Sequence, residues 1–492
     1  MPDPLYLTTA IPFVNGAPHL GHALEYVQTD VLARHARARG RATRFLTGTD
    51  EHAAKNVLAA RAAGTDVASF VAGNADRFRT LADTLGISYD DFIRTSADPR
   101  HRPAVEEIWR RCAANGDVYR DRYEGWYCAG CEEFRDAEAG GGRCPEHDAP
   151  LERIEEANWF FRLSRYRDEV ADLVTTGRLR IEPEARRNEV LGFLAGEIRD
   201  VSVSRPRARV HDWGVPVPGD PDHVVYVWFD ALTNYISALG FGSGDETQFD
   251  TWWRGNGDRV HVVGKGIVRF HALIWPAILL SAGLPLPTTL VVHDYVTAGG
   301  RKIGKSLGNA VDPEAIAEEF GADALRWWLC REVPRVGEVD FTKERLVDTA
   351  NRDLAHGVGN LVQRTVTPAA RAFDGPVRGD PLAVYCCSSE LALAVAETPA
   401  RIDHALAAYD WRAASSAIVA LVDAANRHLE RTRPWERDPA AARAALTALV
   451  TATRVLATEL APFTPDLAAR VHARVGCEGA PVCAGAAVQP RF

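Results

Sequence analysis

Near its N-terminus the chain reads Leu5-Tyr6-Leu7-Thr8-Thr9-Ala10-Ile11-Pro12-Phe13-Val14-Asn15-Gly16-Ala17-Pro18-His19-Leu20-Gly21-His22. Residues 5–10 read as a buried strand, and Pro12, Asn15, Gly16 and Pro18 make the following stretch a loop. Over residues 20–39 the apolar Ala23, Val27 and Val31 recur at helical spacing, and Gly40 ends that helix. Residues 42–46 read as a second strand, followed by the polar run Thr47-Gly48-Thr49-Asp50-Glu51-His52. Strand, loop, helix, strand is the opening unit of a parallel α/β sheet. The alternation returns at Val260-His261-Val262-Val263-Gly264, with a helix from Ile267 and a strand at Thr289–His293. Between the two halves, residues 112–225 break the pattern with short strand-like pieces, Gly and Pro, and read as an insertion. From about Thr349 the chain is Ala-rich with helical periods, which reads as a helical bundle.

Composition narrows the class. The chain has 492 residues, 46% hydrophobic and 25% charged, enough for several domains with a large core. No stretch of about 20 uncharged apolar residues occurs, and no basic segment leads into an apolar one at the N-terminus. A soluble, cytoplasmic, multi-domain protein without membrane contact is expected. The charge is 57 − 66 = −9, which argues against a general nucleic-acid binder. From Leu346 onward 15 Arg balance 15 Asp or Glu, so a local basic face remains open there. Only five basic residues are Lys: Lys55, Lys265, Lys302, Lys305 and Lys343. A Lys retained amid Arg suggests a site that needs a compact point charge.

Three motifs carry chemistry. In Pro18-His19-Leu20-Gly21-His22 two His share one side of a first helical turn, where unpaired N–H groups suit a phosphate. Gly21 lets a ring or phosphate approach the backbone. Taken alone, the pair reads as helix caps, with a metal pair competing. In Arg301-Lys302-Ile303-Gly304-Lys305-Ser306, after Gly299-Gly300, two Lys flank a Gly on a loop able to neutralise a departing pyrophosphate. A solvated basic turn is the plainer reading. Cys128-Ala-Gly-Cys131 and Cys144-Pro-Glu-His147, separated by 12 residues, have the spacing of a closed, structural Cys₃His zinc knuckle. The other Cys lack partners at ligand spacing.

The His and Lys motifs together resemble the class I aminoacyl-tRNA synthetases, and more narrowly the methionyl-tRNA synthetase family. The likeness extends through Thr8-Thr9-Ala10-Ile11-Pro12-Phe13, Leu46 to His52, Asn158-Trp159-Phe160-Phe161, Trp213 to Pro218, Tyr226 to Tyr235, and Gly264-Lys265 with Phe270-His271. The resemblance implies a Rossmann-type catalytic domain split by a zinc-knuckle insertion and followed by an α-helical anticodon-binding domain. The implied divisions are 1–111 and 226–298 for the catalytic halves, 112–225 for the insertion, 299–348 for the basic-loop region and 349–492 for the anticodon domain.

The resemblance also implies roles. His19, His22, Lys302 and Lys305 are expected to be catalytic, and Gly21, Gly264, Lys265 and Ser306 to bind ATP. Asp50 is expected to take the amino-acid ammonium. Ile11, Phe13, Trp228, Ala231, Leu232, Tyr235, Phe270 and His271 are expected to line the amino-acid pocket. Methionine, long and unbranched with a weakly accepting sulfur, suits such walls. The insertion leaves no room for the editing domain that branched aliphatic substrates require. Asn360, Arg364 and Trp435 are expected to read the anticodon by stacking and edge contacts; a buried bundle anchor is the plainer reading of Trp435. Expected cofactors are ATP, Mg²⁺ and one structural Zn²⁺; expected partners are methionine and tRNA(Met), held at its anticodon and acceptor end. The chain ends soon after the bundle, so a monomer is expected.

Four positions depart from the family pattern: Phe13 stands where Tyr is usual, Ala53 where Gly is, Gly266 where Asp is, and Gly304 where Ser is. They keep open a divergent paralog with altered amino-acid or inhibitor response. A non-catalytic tRNA-binding homologue and a simple nucleotidyltransferase are the more distant rivals.

Overall fold

The computed structural model describes residues 4–128, 133–135, 142–144, 150–303, 311–373, 375, 377, 389–476 and 482. Packing divides the chain into two units. The first comprises Met1–Pro18, Gly40–Thr80 and Tyr89–His293; the second comprises His19–Arg39, Leu81–Ser88 and Asp294–Phe492.

The first unit is built on six parallel strands: β1 (Leu5–Thr9), β2 (Thr43–Thr49), β3 (Asp91–Arg94), β7 (Arg180–Glu182), β12 (Arg259–Gly264) and β13 (Thr289–His293). Their order is β3-β2-β1-β12-β13-β7, with every pairing parallel. Every residue of β1 is buried, as expected for a parallel sheet covered on both faces. Gly48 in β2 is required by close packing: a Cβ there would lie 2.1 Å from the Ile93 carbonyl oxygen of β3. The strand order reverses between β1 and β12, and open α/β sheets bind ligands beyond the carboxyl ends of strands at such a point.

Within residues 112–225 lie the helices Arg167–Thr176 and Glu184–Leu194 and two small sheets. One contains β4 (Val118–Cys128), β5 (Glu133–Arg135), β6 (Glu152–Phe161) and β8 (Val201–Ser202). The other contains β9 (Ser204–Pro206), β10 (Pro216–Val217) and β11 (Asp220–Val225). One piece of this segment, β7, returns to edge the parallel sheet beside β13. A three-residue strand has no period to read, so the sequence gives no sign of that return.

The second unit is largely helical. It contains α1 (Leu20–Ala38), which connects β1 to β2 in the chain, together with helices from the C-terminal half. Arg326 is fully buried and ties α1 into this unit. Its guanidinium meets Asp30 of α1 at 2.7 Å and donates to the carbonyls of Leu85, Pro462 and Phe463 at 3.0, 2.7 and 2.9 Å. Burial alone would raise the pKa of Asp30, but the charges of Arg326 and Arg34 and two bonds from Ser88 hold it below the usual carboxylate range. Trp411 donates to the Gln28 carbonyl at 2.9 Å, and Arg39 pairs with Glu459 and Asp403 at 2.8 Å each. Helix Pro439–Leu460 is long and apolar enough to cross a membrane by length and composition alone. Its Leu446, Leu449, Leu456 and Leu460 are buried against neighbouring helices of the unit.

Candidate active site

The carboxyl ends of β1, β2 and β12 bring most of the expected amino-acid-binding residues together within the first unit. Beyond β1 and β2 the chain stays paired: Phe13 bridges Asp50, and the Asp50 N–H donates to the Pro12 carbonyl at 2.9 Å. Helix α3 (Val227–Leu232) and the start of the helical segment Phe270–Ser281 supply the aromatic wall, with α2 (His101–Ala114) packed nearby. Trp228 stacks on Phe270 with centroids 3.6 Å apart and planes 8° from parallel. Phe13 meets Trp228 edge-on at 5.9 Å, and the Lys55 ammonium lies 3.4 Å from the Phe13 ring centre. Ile11 packs against the same core, while Ala231 and Leu232 are fully buried. The buried Trp228 Nε1 has no hydrogen-bond partner among the described residues. Stacking on Phe270 sets that ring's position instead.

Tyr235 and His271 form a buried polar pair. The His271 Nδ1–H donates to the Ile267 carbonyl at 2.9 Å, so its Nε2 accepts from the Tyr235 hydroxyl at 2.7 Å. Burial lowers the His271 pKa to about 4, which keeps the imidazole neutral. Tyr235 also stacks on His261 at 4.0 Å, and the Thr8 hydroxyl meets His261 Nδ1 at 2.7 Å. Burial pushes the His261 pKa well down.

Asp50 is buried, and one of its carboxylate oxygens accepts the His52 backbone N–H at 3.2 Å. The His52 ring donates from Nδ1 to Asp230 at 2.6 Å, and His101 donates to the other Asp230 oxygen at 2.6 Å. Burial opposes charge on Asp230, yet the two imidazoles hold its carboxyl well below the usual range. Sequence reasoning missed His52, Asp230, His101 and His261. His52, two residues after Asp50, and Asp230, next to Ala231, offered local cues; His101 and His261 are joined to the site by tertiary contacts alone. Ala53, at a family departure, is buried against Tyr226 and Val227. Gly266 is exposed.

In the second unit, His19 is the N-cap of α1. Its Nδ1 accepts the Gly21 N–H at 3.1 Å, and His22 Nδ1 accepts the His19 N–H at 3.0 Å. The rings stack at 3.8 Å. Both Nδ1 atoms act as acceptors, so each neutral ring carries its proton on Nε2. The capping reading is therefore true of the Nδ1 atoms, and it fixes Nε2–H as the donor each ring has for an anion. The ring that Gly21 admits is that of His19, which a Cβ would approach to 3.0 Å.

The stem of the basic loop is a hairpin of β14 (Val296–Ala298) and β15 (Arg301–Lys302), with β16 (Val339–Asp340) alongside. Gly299 and Gly300 turn it with φ of 63° and 68°, conformations that favour Gly. Asp340 accepts from the Gly300 N–H and the Thr297 hydroxyl at 2.8 Å each. Gly304, Lys305 and Ser306 lie outside the described residues. Gly264 and Lys265 end β12 and begin the following turn.

Cys128 and Cys144 are buried together with Leu151. Cys128 pairs with Glu133 between antiparallel strands, and Arg143 forms an antiparallel bridge with Pro150. Cys131 and His147 lie outside the described residues.

Asn360 and Arg364 lie one turn apart on α4 (Asn360–Ala372). The Arg364 guanidinium lies 5.5 Å from the Trp435 ring centre and also pairs with Glu430 at 2.6 Å. Trp435 is 49% exposed, so it is not the buried anchor of the plainer reading.

The sequence profile described as "tRNA synthetases class I (M)" matches residues 5–153 and 147–366. The methionine–tRNA ligase of Mycobacterium bovis is 40% identical over 95% of this chain and 91% of its own length. That of Brucella suis is 40% identical over 95% and 90%. A solved structure of the Mycobacterium tuberculosis methionyl-tRNA synthetase in complex with methionyl-adenylate superposes with a TM-score of 0.91 and 37% identity, covering 99% of this chain and all of the other. On the profile match and these relatives, the chain belongs to the methionine–tRNA ligase family of class I tRNA synthetases.

Proposed function

We propose that the chain is a methionine–tRNA ligase. A methionine carboxylate oxygen attacks the α-phosphorus of ATP, the bond to the bridging oxygen breaks, and pyrophosphate leaves. A hydroxyl of the 3′-terminal ribose of tRNA(Met) then attacks the methionyl carbonyl, and AMP departs. The observation that carries this reading is the full-length likeness to an enzyme bound to methionyl-adenylate. The grouping of Asp50, Phe13, Trp228 and Phe270 within the first unit supports it.

In this reading the Asp50 carboxylate takes the substrate ammonium. Trp228, Phe270, Phe13 and Ile11 border the side chain, and the neutral Tyr235–His271 pair presents no charge to it. The Nε2–H groups of His19 and His22 donate to the phosphates as charge develops, and Lys302 and Lys305 accompany the pyrophosphate. The gain is positional and electrostatic, without a protein nucleophile. ATP is taken as its Mg²⁺ complex, with Gly21, Gly264, Lys265 and Ser306 around the nucleotide. Cys128, Cys131, Cys144 and His147 would hold one structural Zn²⁺, a fit supported by the joint burial of Cys128 and Cys144. Zn²⁺ would supply cross-linking of two stretches of the insertion, not catalysis. Asn360, Arg364 and Trp435 would meet the anticodon. The five-part division of the chain is retained as part of this proposal.

A pyrophosphate-exchange panel over the amino acids tests the reading. Exchange with methionine alone is expected. Exchange with a different amino acid, or none alongside intact tRNA binding, would overturn it.

A further inference from the structure

We infer that His52 and Asp230 are positioning residues that set the Asp50 carboxylate against the aromatic wall of the amino-acid pocket. The inference rests on the assignment of Asp50 to the substrate ammonium made above. Two halves of the pocket come from different elements: Asp50 follows β2, while Trp228 and Ala231 belong to α3. His52 links them from both ends of one residue. Its backbone N–H donates to the Asp50 carboxylate at 3.2 Å, and its ring donates to Asp230, on α3, at 2.6 Å. A shift of the ring therefore moves the amide that orients Asp50.

Asp230 cannot yield easily. It is 1% exposed, and its second oxygen is bound by His101 from α2 at 2.6 Å. The far nitrogen of His101 meets the Ser237 hydroxyl at 2.8 Å. A buried ionic cluster of this kind adds little net stability over an apolar core, and what it does fix is geometry. The loop has separate anchorage at its middle residue. Glu51 is bound by Arg94 at 2.7 Å, and its carbonyl accepts from Trp213 at 2.6 Å. Losing the His52–Asp230 contact should thus loosen Asp50 without unfolding the loop.

The test is steady-state pyrophosphate exchange by His52→Leu, Asp230→Asn and His52→Asn, with methionine and ATP varied in turn and melting followed by circular dichroism. His52→Leu and Asp230→Asn are expected to raise the methionine KM roughly 10- to 100-fold and to leave the ATP KM within about twofold. His52→Asn, whose amide nitrogen falls near the Nδ1 position, is expected to restore most of the methionine KM. His52 is partly exposed and its replacement is the safer for folding, so it serves if Asp230→Asn fails to fold. An unchanged methionine KM in His52→Leu, an ATP KM that rises in step, or a His52→Asn no better than His52→Leu overturns the inference alone. A wild-type chain that exchanges with no amino acid overturns the proposed function with it.

Discussion

A methyl group at residue 21 would press on the His19 ring at 3.0 Å, while the helix itself would welcome it. Ala exceeds Gly in helix propensity by up to about 1 kcal/mol. Gly21→Ala should therefore melt at the same temperature as wild type or higher, yet activate methionine at least about tenfold more slowly, because the cap that orients the ring is displaced. Calorimetry alongside pyrophosphate exchange checks both halves. His271 offers a pH test. Its folded pKa of about 4 lies below the ordinary value of 6.5, so the unfolded chain binds the extra proton first on acidification. The stability held by its neutral ring is complete above pH 6.5 and is lost as pH falls toward 4. About 3 kcal/mol is at stake in that window. Urea unfolding of wild type and His271→Asn across it should show a steeper fall for wild type; parallel curves would contradict the burial argument.

Elements that carry a period or a fixed spacing are legible in the sequence. The expected strand at Thr289–His293 is found at those residues, and α1 ends one residue short of the reading. The zinc knuckle is proposed from spacing alone, because metal ligands obey it. Atomic absorption should find one zinc per chain, reduced in Cys144→Ser. What could not be read was cross-element chemistry. Nothing near His101 announces that it will meet Asp230, because side chains 129 positions apart are joined only by folding. The Trp435 patch lies between these extremes. Its residues were picked by likeness, and the contact between Arg364 and Trp435 adds a cation on an exposed aromatic face. Trp435→Ala should leave pyrophosphate exchange without tRNA unchanged while lowering kcat/KM for tRNA charging by roughly 10-fold or more. Equal charging by both proteins would return Trp435 to a plain surface residue.

For the molecule as a whole, the grouping of α1 with the C-terminal helices has the largest energetic consequence. Arg326 and Asp30 are both fully buried, so removing one leaves a charge without its main partner. Arg326→Met is expected to destabilise by about 3 to 5 kcal/mol, and Arg326→Met with Asp30→Asn by less than the two single changes summed. Denaturant titration of the four proteins gives the coupling, and simple additivity would deny it. The same arrangement governs how the protein can be dissected. A fragment cut ahead of the bundle would keep the imidazole pair but strip α1 of Trp411, Asp403 and Glu459. The apparent seam at the start of the bundle is therefore a poor place for scissors, and a minimal activating core would have to retain the helices that clasp residues 28 to 39.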